Sequence, residues 1–239
     1  MTRLLEVSGL RAGYGRTEVL HGVDLAVPAG ATVALLGSNG AGKTTLLQTI
    51  AGLVRPRSGE ILFRGEAVEN RSAHDRTRAG ICLIPEGRGI FRSLSVRENL
   101  LLQSGPRKAD DSIERATSLF PILGQRLAQE AGTLSGGQQQ MLALARALVS
   151  EPALILADEL SVGLAPVIVD EIFEALAVLR GQGRSLLLVE QYVERAVQVA
   201  DYVYILHKGR VVFVGEPSQC TSGEVFARYL GAESVAAHS

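Results

Sequence analysis

Residues 37–45 read GSNGAGKTT, a G-x-x-x-x-G-K-[ST] pattern set between an apolar run and a stretch with helical spacing. Those residue types suit a phosphate chain. Gly37, Gly40 and Gly42 allow backbone conformations that a side chain blocks, so the N–H groups from Gly37 through Ser38, Asn39, Gly40, Ala41 and Gly42 can face one anion. Lys43 brings a cation to the β- and γ-phosphates, Thr44 offers a hydroxyl to Mg²⁺, and the positive end of the helix that begins here, with Thr45 in its first turn, supports the same charge. Two further groups carry chemistry. In LSGGQQQ, residues 134–140, Ser135, Gly136, Gly137 and Gln138 stand at a helix start, either as a second anion site or simply as an N-cap followed by glycines. In LILADE, Asp158 ends an apolar strand where it can hold Mg²⁺ through water, and the alternation of strand side chains is expected to point the neighbouring Glu159 differently.

The elements that must position these residues read as α/β. Apolar runs at 32–36, 81–84, 153–157 and 185–189 are expected to be buried parallel strands, each followed by helical spacing. Segments 4–7 and 19–27 alternate instead and flank the Gly-rich stretch 12–15, as an antiparallel subsheet does. Between 86 and 150 the strand signal stops, and 96–103, 111–120 and 135–150 read as helices. The expected plan is one domain: a core of residues 1–85 and 151–239, and a helical subdomain of 86–150 that carries LSGGQ. The tail 231–239 reads as loosely ordered.

The 239 residues carry a formal charge of −1, too little basic excess for tracking a nucleic-acid backbone, so no nucleic-acid partner is expected. Cys82 and Cys220 lack a spacing that suggests zinc or a disulfide framework, which fits a reducing cytoplasm. The start MTRLLEVSGL has no secretory pattern, and no apolar run approaches the ~18–20 residues of a membrane helix. A transport role would need separate membrane subunits.

Taken in order, the phosphate loop, LSGGQ and the apolar strand ending in Asp-Glu resemble the nucleotide-binding domain of ABC ATPases, from about residue 4 to 229. The resemblance implies a P-loop NTPase core binding ATP and Mg²⁺, and a sandwich dimer in which Ser135–Gln138 of one chain meet the γ-phosphate held by the other. It makes Glu159 the general base and the segment SVGLAP, 161–166, the link between the two sites. It also makes Tyr14 the residue that stacks on adenine, where the residues alone permit an aromatic merely packed in a Gly-rich turn.

Three positions depart from the common pattern. Glu86 stands where most members have Gln, and can only accept, so it is expected to lean on Mg²⁺ or its waters. Gln191 stands where most have a γ-phosphate-sensing His, and Leu160 replaces the usual Pro, which suggests a looser turn at Glu159. PEGR, VEQ and GLAP together are similar to the LivF-like ATPases of branched-chain and other hydrophobic amino acid importers; urea-type importers are the nearest alternative. That similarity implies a second ABC ATPase subunit, in a heterodimer or else a homodimer, two polytopic membrane subunits, and indirectly an extracytoplasmic solute-binding protein. The place implied is peripheral, on the cytoplasmic face of the cell membrane. DNA-repair and translation ATPases share the motifs, but the former insert a coiled coil or zinc module and the latter carry two such domains. Phe91 is a candidate plug into a membrane subunit, with local core as its alternative. The set Arg71, Arg76, Arg78, Arg88, Arg92 and Arg97 reads as solvated or as facing lipid and partner loops.

Overall fold

Two long strands, β1 (Arg3–Tyr14) and β2 (Thr17–Pro28), pair antiparallel across a tight turn at Gly15 and Arg16, in a computed structural model that describes residues 2–87, 89–102, 109–190 and 193–220. Leu5, Val7, Leu10 and Ala12 on β1 face Leu20, Val23, Leu25 and Val27 on β2 in one buried layer, and a bulge between Val7 and Leu10 keeps both ends on that face. Strands β4 (Ser58–Phe63) and β5 (Glu66–Ala67) extend this sheet in the order β2-β1-β4-β5.

The second sheet is built from β3 (Thr32–Leu36), β6 (Ile81–Ile84), β7 (Leu154–Asp158), β8 (Ser185–Val189), β9 (Tyr202–His207) and β10 (Arg210–Gly215) in the order β10-β9-β3-β8-β7-β6. All its pairings are parallel except β9 with β10. Both of its faces are covered, which is why β3, β7 and β8 are continuous apolar runs. Val33, Leu35, Leu154, Leu156 and Leu187 pack toward the antiparallel sheet and α1 (Lys43–Ala51), while Ala34, Leu36, Ile155, Ala157 and Leu188 pack toward the opposite helices.

The remaining helices are α2 (Ala73–Ala79), α3 (Val96–Leu101), α4 (Ala109–Leu119), α5 (Pro121–Gly124), α6 (Gly136–Val149), α7 (Pro166–Gly181), α8 (Val193–Val199) and α9 (Pro217–Cys220). Among the described residues, 86–150 contains no strand, only an isolated bridge between Ser95 and Glu130. The four central strands expected from sequence are present, although the third runs from Leu154 to Asp158, one residue later than expected. Strands β4, β5, β9 and β10 were not legible, since none is a run of uninterrupted aliphatics, and helix α2, AHDRTRA, carries no apolar stripe. Arg88, residue 103 of the first expected helix, and the tail 231–239 lie outside the described residues.

One expectation is overturned. Arg76 is neither solvated nor available to lipid or partner loops, because it is only 1% exposed. Its guanidinium donates to the Thr49 and Ile50 carbonyls at 2.7 and 2.8 Å, and to those of Glu69 and Arg71 at 2.9 and 3.1 Å. It thus caps the carbonyl end of α1, the negative pole of the helix that bears the phosphate loop. Arg71 pairs with Glu66 at the surface, and Arg78, Arg92 and Arg97 are exposed. Arg76→Met is expected to destabilise the chain by roughly 3 kcal/mol, since it strands buried carbonyls that had a charged donor. Arg71→Met is expected to cost under about 1 kcal/mol. Urea unfolding of the two variants beside the unmodified chain checks both.

Candidate functional site

The loop between β3 and α1 is shaped by contacts that only glycine tolerates. A Cβ on Gly37 would run into the Leu206 carbonyl oxygen of the neighbouring strand, and Gly42 holds φ at 106° with Leu20 3.0 Å from where its Cβ would stand. Helix α1 then starts without a side-chain cap and without an acid in its first turn. Its first amides and positive pole therefore have no competing anion from their own turn, the arrangement that suits a phosphate.

Lys43 lies over this loop, nearly buried, with Nζ 2.8 Å from the Gly37 carbonyl oxygen and 3.3 Å from that of Ser38. The same ammonium stands 3.8 Å from a Glu159 carboxylate oxygen. Beside it the Thr44 hydroxyl donates to Asp158 at 3.3 Å. Asn39, Gly40, Lys43, Thr44, Glu86 and Glu159 share the wall of a cleft of about 480 Å³. Residues 38–45, Glu86, Asp158 and Glu159 thus converge on one place from three strand ends.

The way Asp158 and Glu159 reach it differs from the expectation. Strict alternation would send the two side chains to opposite faces of the sheet. Glu159 instead adopts a left-handed backbone, φ 49°, just past the end of β7, with its N–H bonded to the Val189 carbonyl at 2.9 Å. That kink brings the Glu159 carboxylate toward the loop that Asp158 already meets through Thr44. A non-glycine residue held there costs about 1–2 kcal/mol, a strain that persists only where packing and hydrogen bonds over-determine it. Leu160 supplies part of that packing: it is buried in the main cluster, so a core side chain anchors the turn.

Burial pushes the Asp158 carboxyl up to about 6; the Thr44 bond opposes this, Glu159 and Glu86 add to it, and Lys43 pulls it down. A buried carboxylate with a hydroxyl beside it and two more carboxylates nearby is a set of hard oxygen donors short of positive charge. It fits a Mg²⁺ ion held by Thr44 and Asp158 with Glu86 adjacent.

Tyr14 ends β1 with its ring half-exposed, and its hydroxyl donates to Gln48 on α1 at 2.9 Å, with Thr45 at 3.5 Å. Gln48 is a tether that sequence reasoning missed; nothing marks a glutamine in a helix as the partner of an aromatic 34 residues away. Ser135 caps α6: its oxygen accepts from the Gln138 N–H at 3.3 Å, and the Gln138 side chain accepts from the Ser135 N–H at 3.2 Å. Gly136 opens that helix, and Gly137 is required by Ile168, whose Cγ2 lies 2.6 Å from where a Cβ would be. None of residues 135–138 lines the phosphate-loop cleft of their own chain. Gln191 lies outside the described residues.

Phe91 is exposed, not local core; Asn99 holds its backbone N–H and carbonyl at 2.9 and 2.8 Å, and the Arg146 guanidinium lies 5.0 Å from its ring centre. Both free thiols, Cys82 and Cys220, are buried, and burial pushes Cys82 up to about 11. Among the described residues no helix is long and apolar enough to cross a membrane.

The family model described as "ABC transporter" matches residues 20–162. The chain is 44% identical to the high-affinity branched-chain amino acid transport ATP-binding protein BraG of Pseudomonas aeruginosa, over 91% of this chain and 95% of that one. It is 36% identical to the probable branched-chain amino acid transport ATP-binding protein LivF of Archaeoglobus fulgidus, over 94% and 97%. A solved structure of an ATP binding subunit of an ABC transporter superposes with a TM-score of 0.81 at 30% identity, covering 95% of this chain and 96% of that one.

The charge on Asp158 has a consequence for stability. Because its folded pKa, about 6, stands above the ordinary 3.8, the ionised form opposes folding at neutral pH, and that penalty fades as pH falls from about 6 toward 4. In chelator and without nucleotide, Asp158→Asn is expected to raise Tm at pH 7.5, with the gain over the unmodified chain shrinking at pH 5. Scanning calorimetry at the two pH values checks it.

Proposed function

This chain belongs to the ABC transporter family and binds ATP as a member of it, and from that premise we propose that it powers an importer of branched-chain or other hydrophobic amino acids by hydrolysing ATP within a dimer of such subunits. The observation that carries the catalytic part is the left-handed kink at Glu159, which aims a second carboxylate at the loop that Thr44 and Asp158 already share.

Lys43 rests on the carbonyls of its own loop and near Glu159, and exchanges these contacts for β- and γ-phosphate oxygens when ATP enters. Residues 37–45 surround the phosphates with N–H groups and the α1 pole, Thr44 and Asp158 hold Mg²⁺ with Glu86 alongside, and Tyr14 stacks on adenine. Mg²⁺, when bound, neutralises charge on the transferred group. Glu159 accepts the proton of the attacking water and orients it, while Gln191 contributes an amide donor toward the γ-phosphate. Catalysis is positioning and electrostatics rather than covalent chemistry.

Ser135–Gln138 act on the ATP held by the partner. Support comes from their position: they lie at the start of α6, Ser135 is exposed, and they do not line the cleft of their own chain. The partner is a second ABC ATPase, and the pair sits on two polytopic membrane subunits at the cytoplasmic face, served by an extracytoplasmic binding protein. Residues 86–150 form the lobe that meets the membrane subunits, with Phe91, held by Asn99 and Arg146, as the inserted side chain. The amino acid substrate rests on the two transport relatives and on Glu86 and Gln191.

Glu159→Gln is expected to lower turnover by roughly 10²–10⁴-fold, the usual contribution of a general base, with ATP affinity within about threefold. Stopped turnover with retained nucleotide binding is the readout; unchanged turnover overturns the assignment. In the reconstituted complex, leucine, isoleucine or valine is expected to stimulate ATPase activity through the binding protein. Stimulation by urea alone overturns the solute class.

A further inference from the structure

Directly after β8 stands Glu190, a carboxylate that is 1% exposed and takes no part in the mechanism above. Its oxygen accepts a hydrogen bond from the hydroxyl of Ser161, which is 0% exposed and lies two residues past Glu159. The bond crosses from the end of one central strand to the turn that leaves the next, 29 residues apart in sequence.

That turn presents Glu159. Its start is fixed where the Glu159 N–H meets the Val189 carbonyl, and its second residue, Leu160, is sunk in the core. Beyond it the contacts thin: Val162 is exposed, Gly163 adopts φ 71° with open space around it, and the Leu164 N–H reaches the Ser161 carbonyl only at 3.3 Å. The Ser161 hydroxyl is therefore the last buried anchor before the chain reaches solvent. Glu159 needs it, because a left-handed glutamate persists only if both sides of the kink are held.

We propose that Glu190 is a positioning residue for hydrolysis: by holding the Ser161 hydroxyl it fixes the 159–164 turn and so the aim of the Glu159 carboxylate. The inference rests on the proposed role of Glu159. It has a second consequence, since Ser161 begins the segment 161–166, whose exposed part is the side that meets a partner in the proposed dimer. Contact at Val162 and Gly163 then reaches Glu190, the residue before Gln191, through Ser161, so that partner engagement and aim of the base are set by one bond.

The test compares Ser161→Ala, Glu190→Ala and Glu190→Gln in the full chain, assembled with its partner subunits. Gln keeps a carbonyl acceptor of the same reach; Ala does not. Ser161→Ala and Glu190→Ala are expected to lower kcat at least tenfold with KM for ATP within threefold, because the 37–45 loop is untouched. Glu190→Gln is expected to stay within about threefold of the unmodified kcat, and the double variant Ser161→Ala with Glu190→Ala to lose no more than the worse single one. Hydrogen exchange of the 158–165 peptide in the isolated full chain gives a readout independent of turnover: faster for Ser161→Ala, unchanged for Glu190→Gln. A Glu190→Gln variant as slow as Glu190→Ala, a KM that rises in step with the fall in kcat, or Ser161→Ala with unmodified kcat and exchange overturns the inference. Glu159→Gln separates the two readings: if it turns over normally, the base assignment has failed; if it is inactive while Ser161→Ala is normal, only this inference has.

Discussion

One electrostatic confrontation organises this molecule: the positive pole of α1 and the Lys43 ammonium on one side, the Asp158 and Glu159 carboxylates on the other. Neither side is stable alone in a buried setting. Burial, with the neighbouring Glu159, raises the proton affinity of Asp158, and the Lys43 ammonium bonds its own loop's carbonyls. Bringing them within 4 Å requires β3 and β7 to end at the same edge of a parallel sheet with β8 between them, which is what the strand order provides. Ligand sites at the carboxyl ends of parallel strands follow from this geometry, since the loops there are free to diverge while the strands keep their register. Arg76, at the other end of α1, serves the same confrontation by satisfying the carbonyls from which that helix's negative pole arises.

Much of the site was legible because its parts are contiguous in sequence. Gly37–Thr45, Ser135–Gln138 and Asp158–Glu159 are runs whose residue types state their chemistry, and the aliphatic strands that carry two of them announce themselves by composition. What escaped depends on partners far along the chain. Arg76 looks like any arginine in a polar stretch until the carbonyls of residues 49, 50 and 69 are seen to surround it. The left-handed turn at Glu159 cannot be read from its neighbours, for alternation predicts the opposite aim; the Val189 carbonyl and the Leu160 burial that enforce it come from elsewhere. Strand β9 was missed for a related reason: Tyr202 and Tyr204 dilute the aliphatic signal, and the Tyr204 hydroxyl finds its partner in the Ala26 N–H of the other sheet.

The segment that leaves β6 shows how buried polar groups can rigidify an exposed surface. Asn99 is fully buried and holds Phe91 by both backbone groups, while Arg146, from α6, donates to the Gly89 carbonyl and covers the Phe91 ring. An exposed aromatic presented by an otherwise irregular segment would lose much of its binding energy to ordering. Here that ordering is completed in the folded chain. The same segment begins at Glu86, on the wall of the phosphate cleft, so the proposed nucleotide site and the exposed Phe91 lie five residues apart in sequence.

Ser135 caps its helix without using up its hydroxyl hydrogen. As an N-cap, its oxygen accepts from the Gln138 N–H, and the Gln138 carbonyl returns the favour to the Ser135 N–H. A hydroxyl that accepts in this way still has its own hydrogen to give, and the capping box fixes the direction of its oxygen. The helix that follows keeps its positive pole, since serine and glutamine add no charge to neutralise it. Capping therefore leaves the Ser135 hydroxyl hydrogen free for another acceptor, and Gly137, pressed against Ile168, seats α6 on the first turn of α7. That contact ties the helix capped by Ser135 to the helix that follows the 161–166 segment, and in the proposed dimer it gives the signature serine and the Glu159 turn a common support.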